Sequence, residues 1–220
     1  PMHYIVCFLI LCTTCLSLPA HATHQTNNGP HRLAFLGDSL TAGYQLAPQD
    51  AYPALLQHTI GTHNITIINS SVSGDTSYSI LNRLEFFMET KKPNTVMLCI
   101  GSNDGLRGIP LHKTKQNITQ IITTLQQNDI KVLLAGMQLP QNYGPAITKP
   151  FKAMYPRIAT YTNIPILPFL LTDVAAVPSL NLTDRIHPNA KGHKIIAKHV
   201  HAFLVSHNVI ETPHTHNTQK

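Results

Sequence analysis

Short, uninterrupted apolar runs alternate with longer segments of helical periodicity along most of this chain, and that alternation constrains the fold more than any other feature. The runs fall at residues 33–36, 65–68, 95–100 and 132–135, with few polar breaks. A strand wetted on one side alternates polar with apolar residues, whereas a strand covered on both sides does not, so these runs read as buried parallel strands. Between them, residues 51–60, 80–90 and 114–127 repeat apolar side chains at helical spacing. The clearest case places Ile118, Ile121, Ile122 and Leu125 at i, i+3, i+4 and i+7. A stretch broken by Pro and Gly at 139–150 precedes a helix around 151–160. Residues 165–169 hold a fifth, short strand despite two prolines, and 189–205 form a terminal helix. The expected fold class is α/β, a parallel sheet covered by helices on both faces.

A length of 220 residues fits one such domain better than two. With 43% hydrophobic and 12% charged residues, wholesale disorder is excluded. The first residues stand apart. Residues 5–18 are almost wholly apolar or small and are followed by Ala20-His21-Ala22, the pattern a signal peptidase reads, so residues 1–22 are expected to be a cleaved leader. The remaining boundaries are a linker at 23–31, the folded domain at 32–206 and a polar, His-containing tail at 207–220. Periplasmic or secreted localisation follows. Three of the four cysteines leave with the leader, so Cys99, inside an apolar run, reads as a buried small hydrophobe.

Net charge is +6 with His neutral, but the cations are scattered. The best cluster, Lys191, Lys194 and Lys198, lines one helix face without interleaved aromatics, so it reads as a solvated face, and nucleic acid is not an expected partner. At most, peripheral contact with anionic lipid is expected.

Ligand sites in parallel sheets lie at the carboxyl ends of the strands. There the chain carries Gly37-Asp38-Ser39, Ser73-Gly74-Asp75 and Gly101-Ser102-Asn103-Asp104. A hydrolytic serine needs a base, a group that orients the base, and donors for the developing oxyanion. Ser39, at a strand-to-helix turn, is the candidate nucleophile. His187 is the candidate base, and Asp184, three residues earlier, can hold its ring. The Ser39 and Gly74 N–H groups and the Asn103 amide are candidate oxyanion donors. Each residue alone has a plainer role: an N-cap for Ser39 or Asp184, a turn for His187, Gly74 or Asn103. Asp38, Asp75 and Asp104 read as turn and helix-start residues, since no His or Glu joins them at metal-ligand spacing. His214 and His216 in the tail are a weak metal candidate. Neither a phosphate loop nor a GxGxxG motif is present.

Taken in order, Gly37-Asp38-Ser39-Leu40, Ser73-Gly74-Asp75, Gly101-x-Asn103-Asp104 and Asp184-x-x-His187-Pro188 resemble the GDSL, or SGNH, hydrolase family. The strings Asn103-Asp104-Gly105-Leu106-Arg107-Gly108 and Leu139-Pro140-Gln141-Asn142-Tyr143-Gly144 resemble its bacterial acyl-CoA thioesterase I, lysophospholipase and arylesterase group. The resemblance covers residues 32–205. It implies a three-layer α/β/α, flavodoxin-like fold, no cofactor, no metal, and an acyl-enzyme formed on Ser39 with His187, Asp184 and an oxyanion hole of Ser39, Gly74 and Asn103. It also implies that loops carrying Leu106, Ile109, Leu139 and Tyr143 shape an acyl groove. The implied substrate is a small acyl ester, a thioester or a lysophospholipid. A carbohydrate O-acetylesterase is the alternative within the family, and a non-catalytic lipid- or metal-binding protein the alternative outside it. Two departures stand out: Ser102 and Arg185 occupy positions where relatives often have Gly.

Overall fold

The computed structural model describes residues 29–61 and 64–211, so the apolar leader and the tail residues His214 and His216 lie outside the described residues. Five parallel strands, β1 (His31–Gly37), β2 (Ile65–Asn69), β3 (Thr95–Cys99), β4 (Lys131–Ala135) and β5 (Ile166–Leu167), form one sheet in the order β2-β1-β3-β4-β5. The expected α/β class is therefore correct. The apolar runs of the central strands are buried, as continuous apolar runs require: Leu33, Ala34, Phe35 and Leu36 of β1 and Val96, Met97, Leu98 and Cys99 of β3 are 0% exposed. In register, Phe35 lies between Asn69 and Met97.

The helices are α1 (Ser39–Ala42), α2 (Tyr52–Ile60), α3 (Ser77–Lys91), α4 (Ser102–Leu106), α5 (Leu111–Gln127), α6 (Pro145–Thr162) and α7 (Ala190–Ser206). One layer packs α3 on α5 and α5 on α6; the other packs α2 on α7. In α5, Ile118, Ile121, Ile122 and Leu125 are all 0% exposed, and each such side chain contributes about 1.5–3 kcal/mol by leaving water. Because β1 is followed outward by β2 while β3 lies on its other side, the chain changes direction between β1 and β3. That switch opens a crevice at their carboxyl ends.

Several elements differ from the expectation. The helix placed at 151–160 begins at Pro145 and runs through Pro150 and Pro156. Each internal proline removes an N–H and clashes with the carbonyl four residues back. Both prolines, however, lie on the exposed side, while Phe151, Met154, Tyr155 and Ile158 bury the opposite stripe, and that burial carries the helix across them. The short α4 was not anticipated: five residues are too few to show a period. Helix α3 starts three residues early because Thr76 and Ser79 form a reciprocal capping box. The fifth strand shrinks to two paired residues, flanked by Pro165 and Pro168. Among the described residues, no helix is long and apolar enough to cross a membrane.

Candidate active site

Ser39 is the first residue of α1, directly beyond β1, and is 8% exposed. Its neighbour Asp38, not Ser39, is the N-cap: its carboxylate accepts the Leu40 N–H at 3.0 Å. The serine hydroxyl is thereby left for another partner, and the first N–H groups of the helix have no intrahelical acceptor. Asp38 is itself wholly buried, and burial pushes its carboxyl up to about 7 despite the Leu40 amide; nearby Asp104 acts in the same sense.

The hydroxyl of Ser39 meets Nε2 of His187 at 2.9 Å, across 148 positions of sequence. Nδ1 of the same ring lies 2.7 Å from Oδ2 of Asp184. A carboxylate only accepts, so Nδ1 carries the proton and Nε2 is the acceptor for the serine. The other oxygen of Asp184 accepts the N–H groups of Ile186 (2.9 Å) and His187 (3.0 Å). Partial burial opposes charge on Asp184, but those two amides and the imidazole together hold its carboxyl below the usual carboxylate range. Asp184 therefore does not cap the following helix; Asn189 does, accepting from Lys191 and Gly192.

Arg185, inside this turn, has φ +60°. Side chains rarely adopt that region, so Arg185 is held there by the turn that presents His187. The ring of Tyr44 lies over His187, with centroids 4.5 Å apart and planes at 39°. Sequence reasoning gave Tyr44 no role, and only its place shortly after Ser39 hinted at one.

Gly74 has φ +89°, so a side chain there would be strained, although a methyl added at this position would meet only Nη2 of Arg107, at 3.6 Å. Its carbonyl accepts from Arg107 at 3.0 Å. Asn103 donates one side-chain N–H to the Asp75 carbonyl at 2.9 Å. The carboxylate of Asp75 takes Nε and Nη2 of Arg83 at 2.9 and 2.7 Å, and Arg83 also holds the Ser70 carbonyl at 2.9 Å. Buried Asp104 accepts the amide of Ser77 at 2.9 Å and its hydroxyl, and Asn117 donates to that hydroxyl at 3.0 Å. The loops after β2 and β3 are thus tied together around Gly74 and Asn103. Arg83 and Asn117 had no distinguishing signal in the sequence, because long-range clamps leave no local pattern.

The four residues expected to line an acyl groove divide. Leu139 is 6% exposed and borders a cleft of about 310 Å³ shared with Gln138, Gln141 and Thr148. Leu106 is half-buried against the core, Ile109 is half-buried, and half-buried Tyr143 donates its hydroxyl to the Leu106 carbonyl at 3.5 Å. Cys99 is wholly buried beside the Tyr52 hydroxyl, and burial pushes its thiol up to about 12, which leaves it inert.

A model of the GDSL-like lipase/acylhydrolase family matches residues 35–195. Arylesterase of Vibrio mimicus is 33% identical over 88% of this chain and 94% of its own length. Thioesterase 1/protease 1/lysophospholipase L1 of Escherichia coli K12 is 38% identical over 75% of this chain and 79% of its own. Among solved structures, the psychrotrophic esterase EstA from Pseudoalteromonas, inhibited by monoethylphosphonate, aligns with a TM-score of 0.77 at 31% identity, over 81% of this chain and 98% of that one. AlinE4, an SGNH-hydrolase family esterase, aligns with a TM-score of 0.67 at 33% identity, over 83% and 98%. The family match spans most of the sheet, all four loop blocks and the start of the terminal helix, and this chain belongs to the GDSL-like lipase/acylhydrolase family of ester hydrolases.

Proposed function

We propose that the protein is an exported serine hydrolase that cleaves acyl esters and thioesters through an acyl-enzyme on Ser39. The observation that carries this reading is the hydrogen-bonded series from Ser39 through His187 to Asp184. Neutral Nε2 of His187 takes the hydroxyl proton as Ser39 Oγ attacks the acyl carbonyl. The imidazolium that forms is stabilised by Asp184, whose amide partners keep it charged. Negative charge on the carbonyl oxygen goes to the Ser39 and Gly74 N–H groups and to Asn103, which has a second side-chain N–H beyond the one given to Asp75. The proton then passes from His187 to the leaving alkoxide or thiolate, the carbon–heteroatom bond breaks, and water repeats the sequence to release the acid.

The arylesterase and thioesterase/lysophospholipase names of the relatives support an acyl ester as the substrate. The apolar or amphipathic side chains of Leu106, Ile109, Leu139 and Tyr143, which the family resemblance assigns to an acyl groove, favour an acyl chain over a sugar. Export, argued from the apolar segment ending at Ala22, would separate the enzyme from cytosolic acyl-CoA and leave lysophospholipids and other extracytoplasmic esters as natural substrates. Hydrolysis of p-nitrophenyl esters from acetyl to dodecanoyl tests the reading. Wild type should prefer chains longer than acetyl, and Ser39→Ala should lose roughly four to six orders of magnitude in kcat. A folded Ser39→Ala protein that keeps full turnover would falsify the assignment.

A further inference from the structure

The stripe of lysines on α7 takes no part in the chemistry above. Helix α7 packs beside α2, and between them lies a cleft of about 400 Å³. Lys194, Lys198 and His201 of α7 line it from one side and His58 of α2 from the other, with Leu55 and Ala197 supplying apolar surface. Positions 194, 198 and 201 follow at i, i+4 and i+7, so one helix face presents all three. Like charges at i, i+4 repel, and the described residues that line the cleft include no carboxylate to offset them. Asp173 faces His199 of α7 at 3.4 Å and is not among the residues that line the cleft. A second observation concerns His201: its Nε2 is shielded from solvent and finds no hydrogen-bond partner among the described residues. Buried polar nitrogens are nearly always paired, so His201 brings an unusual, unpaired polar group to the wall of this cationic cleft.

We propose that this cleft is a binding site for a phosphate-bearing ligand. The two ammonium groups and the imidazoles of His58 and His201 would hold the phosphate oxygens, while Leu55 and Ala197 receive the organic portion. Four basic side chains around one space suit a multiply charged anion with several acceptor oxygens better than a single carboxylate. The cleft is walled by the C-terminal half of α2 and the middle of α7, whereas Ser39 and His187 sit at the carboxyl edge of the sheet, so the two sites are separable by mutation.

Calorimetric titration of the full chain with glycerol 3-phosphate tests the site, and sedimentation with phosphatidylglycerol vesicles separates a lipid headgroup from a soluble phosphate ester as the source. Wild type should bind at least one of the two probes. Replacing both lysines (Lys194→Gln with Lys198→Gln) should weaken that binding about tenfold or more, as expected for lost charge-assisted hydrogen bonds. The paired conservative variant, Lys194→Arg with Lys198→Arg, should retain binding, and p-nitrophenyl ester turnover should be unchanged in both. Vesicle binding lost in the glutamine variant assigns the phosphate to lipid; titration without vesicle binding assigns it to a soluble ester. The proposal is overturned if neither probe binds, or if wild type and the glutamine variant bind alike.

Discussion

Asn103 shows how much can turn on one side chain. Its amide already anchors the Asp75 carbonyl, so two roles compete: holding the loop that carries Gly74, or donating its remaining N–H to the oxyanion. The roles separate kinetically. Asn103→Ala should lower kcat by about 10²–10³-fold with KM little changed if the amide acts only as charge develops. Steady-state kinetics on p-nitrophenyl butyrate decide the matter; a raised KM at unaltered kcat would leave Asn103 a loop anchor alone. Residue types in the four blocks were legible from sequence because each type has few chemical uses. The partners Tyr44, Arg83 and Asn117 were not legible, since nothing about their own neighbours in sequence announces which distant atom they meet.

Among the elements, α6 is the instructive one. Its prolines argued for a broken stretch until 150, and local chemistry supported that argument, yet the helix begins at Pro145, where a missing N–H costs nothing. Pro156 is different: it lies well inside the helix and on the exposed side, so it frees the Lys152 carbonyl with no packing in return. Pro156→Ala should therefore raise stability by on the order of 1–3 kcal/mol, seen as a higher urea midpoint with an unchanged slope. No gain would mean that the helix is already relaxed around the ring. Strongly periodic elements such as α5 matched the reading within three residues at the start, because their own apolar stripe is also the surface they bury. Short elements, α4 and β5, depended on what surrounds them.

At the scale of the whole molecule, two buried groups set opposing pH responses. Burial raises Asp38 from 3.8 to about 7, so between those values the folded protein holds a proton that the unfolded chain has released, and this contribution to stability falls as pH rises. Burial lowers His193, which accepts the Tyr52 N–H at 3.1 Å, from 6.5 to about 4. There the unfolded chain holds the extra proton, and stability falls as pH drops from 6.5. The two slopes oppose one another over most of the mildly acidic range. Asp38→Asn keeps a cap for α1 but removes one slope. Relative to wild type, its stability should rise by about 1.4 kcal/mol per pH unit between roughly pH 4 and 7, measured by urea unfolding at several pH values. Parallel curves for the two proteins would contradict a buried, proton-holding Asp38.

The amino-acid sequence alone determined the class of fold and the inventory of chemistry. Hydrophobic period reports burial, strand and helix alternation leaves few topologies, and a hydroxyl, an imidazole, a carboxylate and an amide in ordered loops leave few reactions. Tertiary structure decided everything that depends on distance between remote residues. It put Ser39 against His187, closed α2 on α7, forced Arg185 to φ +60°, and carried α6 through two prolines. Those outcomes are set by strand order and by the burial of surfaces from separate elements, free energies that no local window of sequence contains.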